Sequence, residues 1–167
     1  KGIFFNKFKR LKNIKLIFVG SNYIFFNIFL ILINILKILK KNKPTVVNTW
    51  IYKSHIYGSI TKVFYNYPLI FHVRHVGITK KHNILKKIPI LISVLFANFF
   101  STHKIYNSFF SKKNHEQIGY GKKNAYVISN GFAPPAKTYK KKINKKFIYI
   151  GMLSRFNYIK DHNTLIK

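Results

Sequence analysis

The sequence predicts an α/β chain: a mostly parallel sheet with helices on both faces. Three observations lead there. Short apolar or β-branched runs of strand length recur at Thr45–Thr49, Leu69–Val73, His103–Asn107 and Ala125–Ser129. Longer apolar segments of helical length alternate with them, and Gly, Pro or Asn-Gly turns separate the two kinds. Strands that alternate with helices pair in parallel, because each helix carries the chain back over the sheet.

In chain order, residues 1–14 (KGIFFNKFKRLKNI) are basic and aromatic with no clean period, and read as an element remnant and a loop. Lys15–Val19 (KLIFV) reads as a short buried strand ended by Gly20. Tyr23–Leu39 is almost wholly apolar and is the one candidate for a membrane span. Its length of about 17 residues is the lower limit for crossing hydrocarbon. Asn27, Asn34, Lys37 and Lys41 share one helical side, however, so an amphipathic helix packed on the sheet fits better. Pro44 ends that helix region, and the β-branched Thr45–Thr49 follows as a strand. Trp50–Tyr65 (WIYKSHIYGSITKVFY) reads as a helix with His55, Gly58 and Ser59 near its start. Tyr67-Pro68 turns into the strand Leu69–Val73, which leads to Arg74-His75. A polar loop over Gly77–Asn83 precedes a helical segment, Ile84–Phe100, interrupted early by Pro89. The strand at 103–107 ends at Ser108, which can cap a helix over Phe109–Ile118 closed by Gly119. Ala125–Ser129 is a further strand, ended by an Asn130-Gly131 turn.

Ala133–Lys146 (APPAKTYKKKINKK) offers little to bury and reads as a linker. It divides the chain into an incomplete domain over 1–132, the linker over 133–146, and the start of a second domain over 147–167. Both ends of the chain look cut. In the last stretch Phe147–Ile150 has the length of a buried strand closed by Gly151. Arg155 and Lys160 follow in a loop, and Asp161 or Asn163 can cap a helix beginning at Thr164. A turn, two cations and a helix start make a cradle for a diphosphate.

The charge is extreme: 31 Lys+Arg against 2 acids, formally +29 over 167 residues. That balance points to an anionic partner, either nucleic acid or a membrane surface. Yet only Arg10, Arg74 and Arg155 are arginines, although arginine is the better fork for phosphates and bases. The excess is lysine, in a chain rich in Ile, Asn, Phe and Tyr, as an AT-rich coding sequence produces. No nucleic-acid-binding motif accompanies it, so nucleic acid is not the favoured partner. With Glu116 and Asp161 the only carboxylates, a paired-carboxylate mechanism or a carboxylate-rich metal site cannot be built from these residues. The chain has no cysteine, which excludes disulfides and thiolate ligands. Neither a metal nor a cofactor is expected.

Several short patterns then line up in order. Lys43-Pro44-Thr45-Val46-Val47-Asn48-Thr49-Trp50-Ile51-Tyr52 with Gly58 resembles the "kPDvVhtWmyHadllG" stretch of family 4 (group 1) glycosyltransferases. Val73-Arg74-His75 resembles their "iRHs", Tyr106-Asn107-Ser108 their "cnSe", and His115–Tyr120 their "hheriGY". Val127–Phe132 is similar to "vIPNGfD" and Ile150–His162 to "iGmvaRfdpqKDH". The departures are Thr45 for the usual acid, Lys53-Ser54-His55 for "HaD", Ser129 for the proline of "PNG", and Ala133 for the following acid.

The resemblance implies two facing Rossmann-like domains of GT-B type, with a retaining, metal-independent sugar transfer from a nucleotide-sugar donor in the cleft between them. It implies that Arg155 and Lys160 hold the donor diphosphate, and that His75 is a catalytic, cleft-facing histidine near the transferred sugar. Arg74, Ser108, Asn130, Gly131 and Gly151 are candidate cleft-lining residues. The implied acceptor is a polysaccharide or lipid-linked glycan, and the implied location is cytoplasmic, with peripheral contact to an anionic inner membrane face. The family's Glu-x7-Glu element has no counterpart, so the piece by itself is expected to be inactive. The alternative is a basic module that binds a membrane surface or nucleic acid.

Overall fold

The computed structural model describes residues 8, 10–19, 27–78, 84–100, 103–134, 146, 150–156 and 160–166. Its elements run α1 (Asn27–Asn42), β1 (Val47–Trp50), α2 (Tyr52–Phe64), β2 (Leu69–Val73), α3 (Ile84–Phe99), β3 (His103–Tyr106), α4 (Phe109–Gln117), β4 (Ala125–Val127) and α5 (His162–Ile166). Lys1–Gly131 form one compact unit and Phe132–Lys167 a second.

The four strands make one sheet in the order β1-β2-β3-β4, with every neighbouring pair parallel. The fold is therefore α/β with a parallel sheet flanked by helices. Register is set by side-chain alternation. Thr49 pairs with Phe71 and Val73 with Tyr106, and all four are buried. The alternate positions Asn48, Trp50, His103 and Tyr126 are exposed. α2 packs on β1, β2 and α3, while α4 packs on β3 and β4. The core joins Leu69, Phe71, Val73, Val94, Ala97, Tyr106 and Tyr120, with Leu39 reaching in from α1. Gly58 sets the closest approach of α2 to the sheet, since a Cβ there would stand 2.6 Å from Thr49 Cγ2.

The helix ends follow local chemistry. Ser108 accepts from the Ser111 amide at 3.1 Å, as its place before α4 predicts. Gly119, at φ 105°, closes the same helix while the Tyr120 amide donates to the His115 carbonyl at 3.0 Å. α3 runs through Pro89, which removes one rung of its ladder without ending it.

Two local expectations change: Trp50 closes β1 instead of opening the helix that follows, and residues 15–19 form no strand. Residues 15–19 are irregular and largely exposed, and they pair with none of the four strands. An apolar run supplies strand propensity, but a strand also needs a neighbour's ladder. No described helix is long and apolar enough to cross a membrane, and α1 is an amphipathic helix packed on α2. Most of the expected linker, 135–145, lies outside the described residues, as do Phe147–Tyr149 of the expected last strand; Ile150 is irregular and exposed.

Candidate functional site

A parallel sheet collects its carboxyl ends, and the loops that follow them, along one edge. Four strand ends converge there: Trp50 closing β1 with Ile51 after it, Arg74–Gly77 after β2, Asn107-Ser108 after β3 and Ile128–Gly131 after β4. Arg74 ties this edge together. Its guanidinium lies over the Trp50 ring, 4.3 Å from the centroid, and Nη1 donates to Asn130 Oδ1. A residue at the end of β2 thus reaches both outer strands. Trp50 in turn stacks on His72 at 4.9 Å.

His75 is exposed at this edge, its ring 5.9 Å from that of Tyr52. Its loop is held from below by α4. The Ser111 hydroxyl donates to the His75 carbonyl at 2.6 Å, and Asn114 Nδ2 donates to the Val76 carbonyl at 3.1 Å. Gly77 takes φ 95°, a conformation that favours glycine, with the His115 ring just beneath it.

His115 is fully buried and uses both nitrogens. Nδ1 faces the Ser111 carbonyl at 2.7 Å and so carries the proton, while the Tyr52 hydroxyl donates to Nε2 at 2.8 Å. Burial pushes the His115 pKa down, against the opposing pull of the Ser111 carbonyl. The Tyr52 hydroxyl is pushed up, first by burial and then by Tyr120. His55 is also buried, stacked 4.2 Å from Phe71, and its Nε2 lies 3.3 Å from the His72 carbonyl. Burial lowers its pKa to about 3. These histidines are neutral structural groups at neutral pH. Ser59 Oγ and the Tyr106 hydroxyl are buried with no hydrogen-bond partner among the described residues.

Ile51 is the strained point of the edge. A β-branched residue at φ 72°, ψ 151° occupies a region that only glycine enters easily. Its carbonyl starts α2, accepting from the Ser54 and His55 amides. The Ser54 hydroxyl lies against the same carbonyl at 2.8 Å.

Among the predicted residues, the structure joins Arg74 directly to Asn130. It gives Ser108 a capping role and leaves His75 accessible. Gly131 and Gly151 have open space where a Cβ would stand, so packing does not require glycine at either position. Trp50, Ile51, Tyr52, Ser111 and His115 carry no role in the sequence reading. Trp50 could have been flagged as the chain's single tryptophan at a strand end, but the contacts of His115 and Tyr52 join residues 63 apart.

The second unit holds Arg155 and Lys160, both exposed. His162 organises its described part: Nε2 lies 3.2 Å from both Ser154 Oγ and the Arg155 carbonyl, and its ring sits 5.2 Å from Phe156. The helix begins at His162 rather than Thr164, which places Asn163 inside it. Asp161 precedes it at φ 47°, and its carboxylate accepts from the Thr164 hydroxyl at 2.7 Å.

The described residues thus define an α/β chain with a parallel sheet whose carboxyl edge is aromatic and cationic. No family model and no curated protein sequence matches the chain. Solved structures do share its fold. The crystal structure of Anabaena Alr3699/HepE in complex with UDP-glucose matches with a TM-score of 0.57 and 21% identity, over 69% of this chain and 30% of that one. The UDP complex gives 0.56 and 20%, over 68% and 30%, and the complex with UDP and glucose 0.54 and 20%, over 61% and 26%. The chain therefore spans less than a third of the length of these neighbours, and at this identity the likeness is one of fold.

Proposed function

We propose that this chain is part of a family 4 (group 1) glycosyltransferase of GT-B type. In this reading it helps transfer a sugar, with retention, from a nucleotide-diphosphate sugar to a polysaccharide or lipid-linked acceptor. The observation that carries the reading is a coincidence of order. The motif residues Trp50, Arg74-His75, Asn107-Ser108 and Asn130-Gly131 fall at or just past the carboxyl ends of four successive strands of one parallel sheet, where α/β folds bind ligands. HepE, which shares the fold, was crystallised with UDP and with UDP-glucose, so uridine nucleotide sugars are the first donors to try.

The proposed roles follow from charge. Negative charge grows on the leaving diphosphate in the transition state, so cations at Arg155 and Lys160 contribute more there than in the ground state. His75 is accessible and backed by Ser111, which suits a group that meets the transferred sugar. The domain division at 1–132, 133–146 and 147–167 belongs to the same proposal, as does a cytoplasmic enzyme with peripheral contact to an anionic membrane. The chain holds a single glutamate, Glu116, so the family's paired glutamates must come from elsewhere, and these 167 residues alone are proposed to be inactive.

The test is to incubate the intact gene product with a panel of nucleotide sugars and follow nucleotide release. Arg155→Ala and Lys160→Ala should each weaken donor binding about tenfold or more, on the order of 1.4 kcal/mol. His75→Ala should lower kcat by about 10²-fold. Donor affinity unchanged in both cation variants would sink the diphosphate assignment, and turnover by the purified 167-residue chain would refute its inactivity.

A further inference from the structure

The loop that follows β2 exposes His75 and Val76, yet its backbone is held at three consecutive residues. The His75 carbonyl accepts from the Ser111 hydroxyl at 2.6 Å, and the Val76 carbonyl from Asn114 Nδ2 at 3.1 Å. The Gly77 amide faces the Tyr52 hydroxyl, where it offsets part of the effect of burial. Tyr52 is itself fixed among three histidines. Its ring lies 5.9 Å from that of His75, 5.9 Å from His115 and 6.0 Å from His55. It is also the first residue past Ile51, whose strained backbone turns β1 into α2.

Proton positions give this arrangement one direction. A carbonyl only accepts, so His115 Nδ1 carries its proton towards Ser111, and Nε2 must accept from Tyr52. The Tyr52 oxygen then keeps a lone pair for the Gly77 amide. His115 is fully buried, so it acts on the rim only through the groups it bonds. Support of this kind is what a reacting side chain needs, since a misplacement of about 1 Å can cost ~10²-fold in rate. We infer that Tyr52 and His115 are positioning residues: they touch no substrate, but hold residues 75–77 so that the His75 ring meets the transferred sugar in one orientation. What His75 does rests on the glycosyltransferase reading; the hold on its loop does not.

The hold is tested on the full chain by hydrogen exchange of the Gly77 amide, with the β2 amides as the reference for global opening. Tyr52→Phe removes one oxygen and should speed Gly77 exchange about tenfold or more relative to β2, as should His115→Leu. Thr61→Val removes a buried hydroxyl at the far end of α2, bonded to the Gly58 carbonyl and the Tyr67 hydroxyl. It should lower the urea midpoint and leave that ratio unchanged. In the intact gene product, Tyr52→Phe and His115→Leu should lower kcat about tenfold or more with donor KM within about twofold, while Thr61→Val keeps the wild-type kcat. His115→Gln, whose side-chain oxygen can accept from Tyr52, should restore kcat to within about threefold of wild type. An unchanged Gly77 ratio in Tyr52→Phe, or full kcat in both Tyr52→Phe and His115→Leu, would overturn the inference, as would an equal kcat loss in Thr61→Val. If the unaltered gene product transfers no sugar, the glycosyltransferase reading fails instead, and the exchange ratio still decides whether Tyr52 holds the loop.

Discussion

The exposed rim of the sheet and the layer beneath it are built on different terms. At the rim, Trp50, Arg74, His75 and Asn130 meet solvent, and the contacts among them are a ring face and a single side-chain hydrogen bond. Below, Tyr52, His55, Ser111 and His115 are almost fully buried, and His115 uses both ring nitrogens. The contrast teaches where stability and accessibility are divided. The paired groups of Tyr52, Ser111 and His115 fix the loop that bears His75. The rim residues, freed of that duty, stay available to a ligand.

Core truncation should mark the upper end of this contrast. Phe71 is fully buried between the strands and His55, so Phe71→Ala should cost about 3–5 kcal/mol in urea unfolding. A loss below about 1 kcal/mol would mean that the sheet does not carry the stability.

Acid should attack the lower layer before the rim. His55 and His115 have depressed pKa values in the folded chain, so the unfolded chain binds more protons once the pH falls below about 6.5. Their stabilisation is complete above that value and declines towards pH 3, where His55 titrates in the folded state. His55 alone can cost up to about 1.4 kcal/mol per pH unit in this window, so unfolding free energy should fall by about 2 kcal/mol between pH 7 and 5 on its account, and His115 acts in the same direction. His115→Gln should flatten that slope; an unchanged slope would mean the histidines are not held neutral.

Gly58→Ala should cost about 1–3 kcal/mol, because the new methyl meets Thr49 at 2.6 Å and Leu69 at 3.1 Å. At the rim the effects shrink and can change sign. Ile51→Gly relieves a backbone strain of about 1–3 kcal/mol against glycine's entropic cost of about 0.5–1 kcal/mol, so the chain should gain about 1 kcal/mol. Loss of stability by that amount would show that the Ile51 side chain packs more than it strains. Arg74→Ala should cost only about 0.5–1 kcal/mol, the scale of an exposed cation–π contact, yet should shift Trp50 emission. An unshifted spectrum would argue against the stack.

Much of the fold was legible locally. Leu69–Val73 forms the strand its apolar run after the Tyr67-Pro68 turn predicts, and Ser108 and Gly119 bound their helix as a cap and a left-handed stop should. Residues 15–19 show the limit, since apolar, β-prone residues stay irregular without a pairing neighbour. The site was legible in part. Arg74, His75 and Asn130 stand out because they sit where strands end, but nothing local joins Arg74 to Asn130, which are 56 residues apart. Ile51 was illegible for another reason: a positive φ at a β-branched residue is imposed by its surroundings against its own preference.

The sequence by itself determined the alternation of strands and helices, the near absence of carboxylates, and the cap and stop that Ser108 and Gly119 give their helix. All of these are set by side-chain period, composition and short-range hydrogen bonding. Only the tertiary structure decided which strand ends meet, and that His115 reaches Tyr52 beneath the His75 loop. Those are contacts between residues distant in the chain, fixed by the register of parallel strands and the packing of helices upon them.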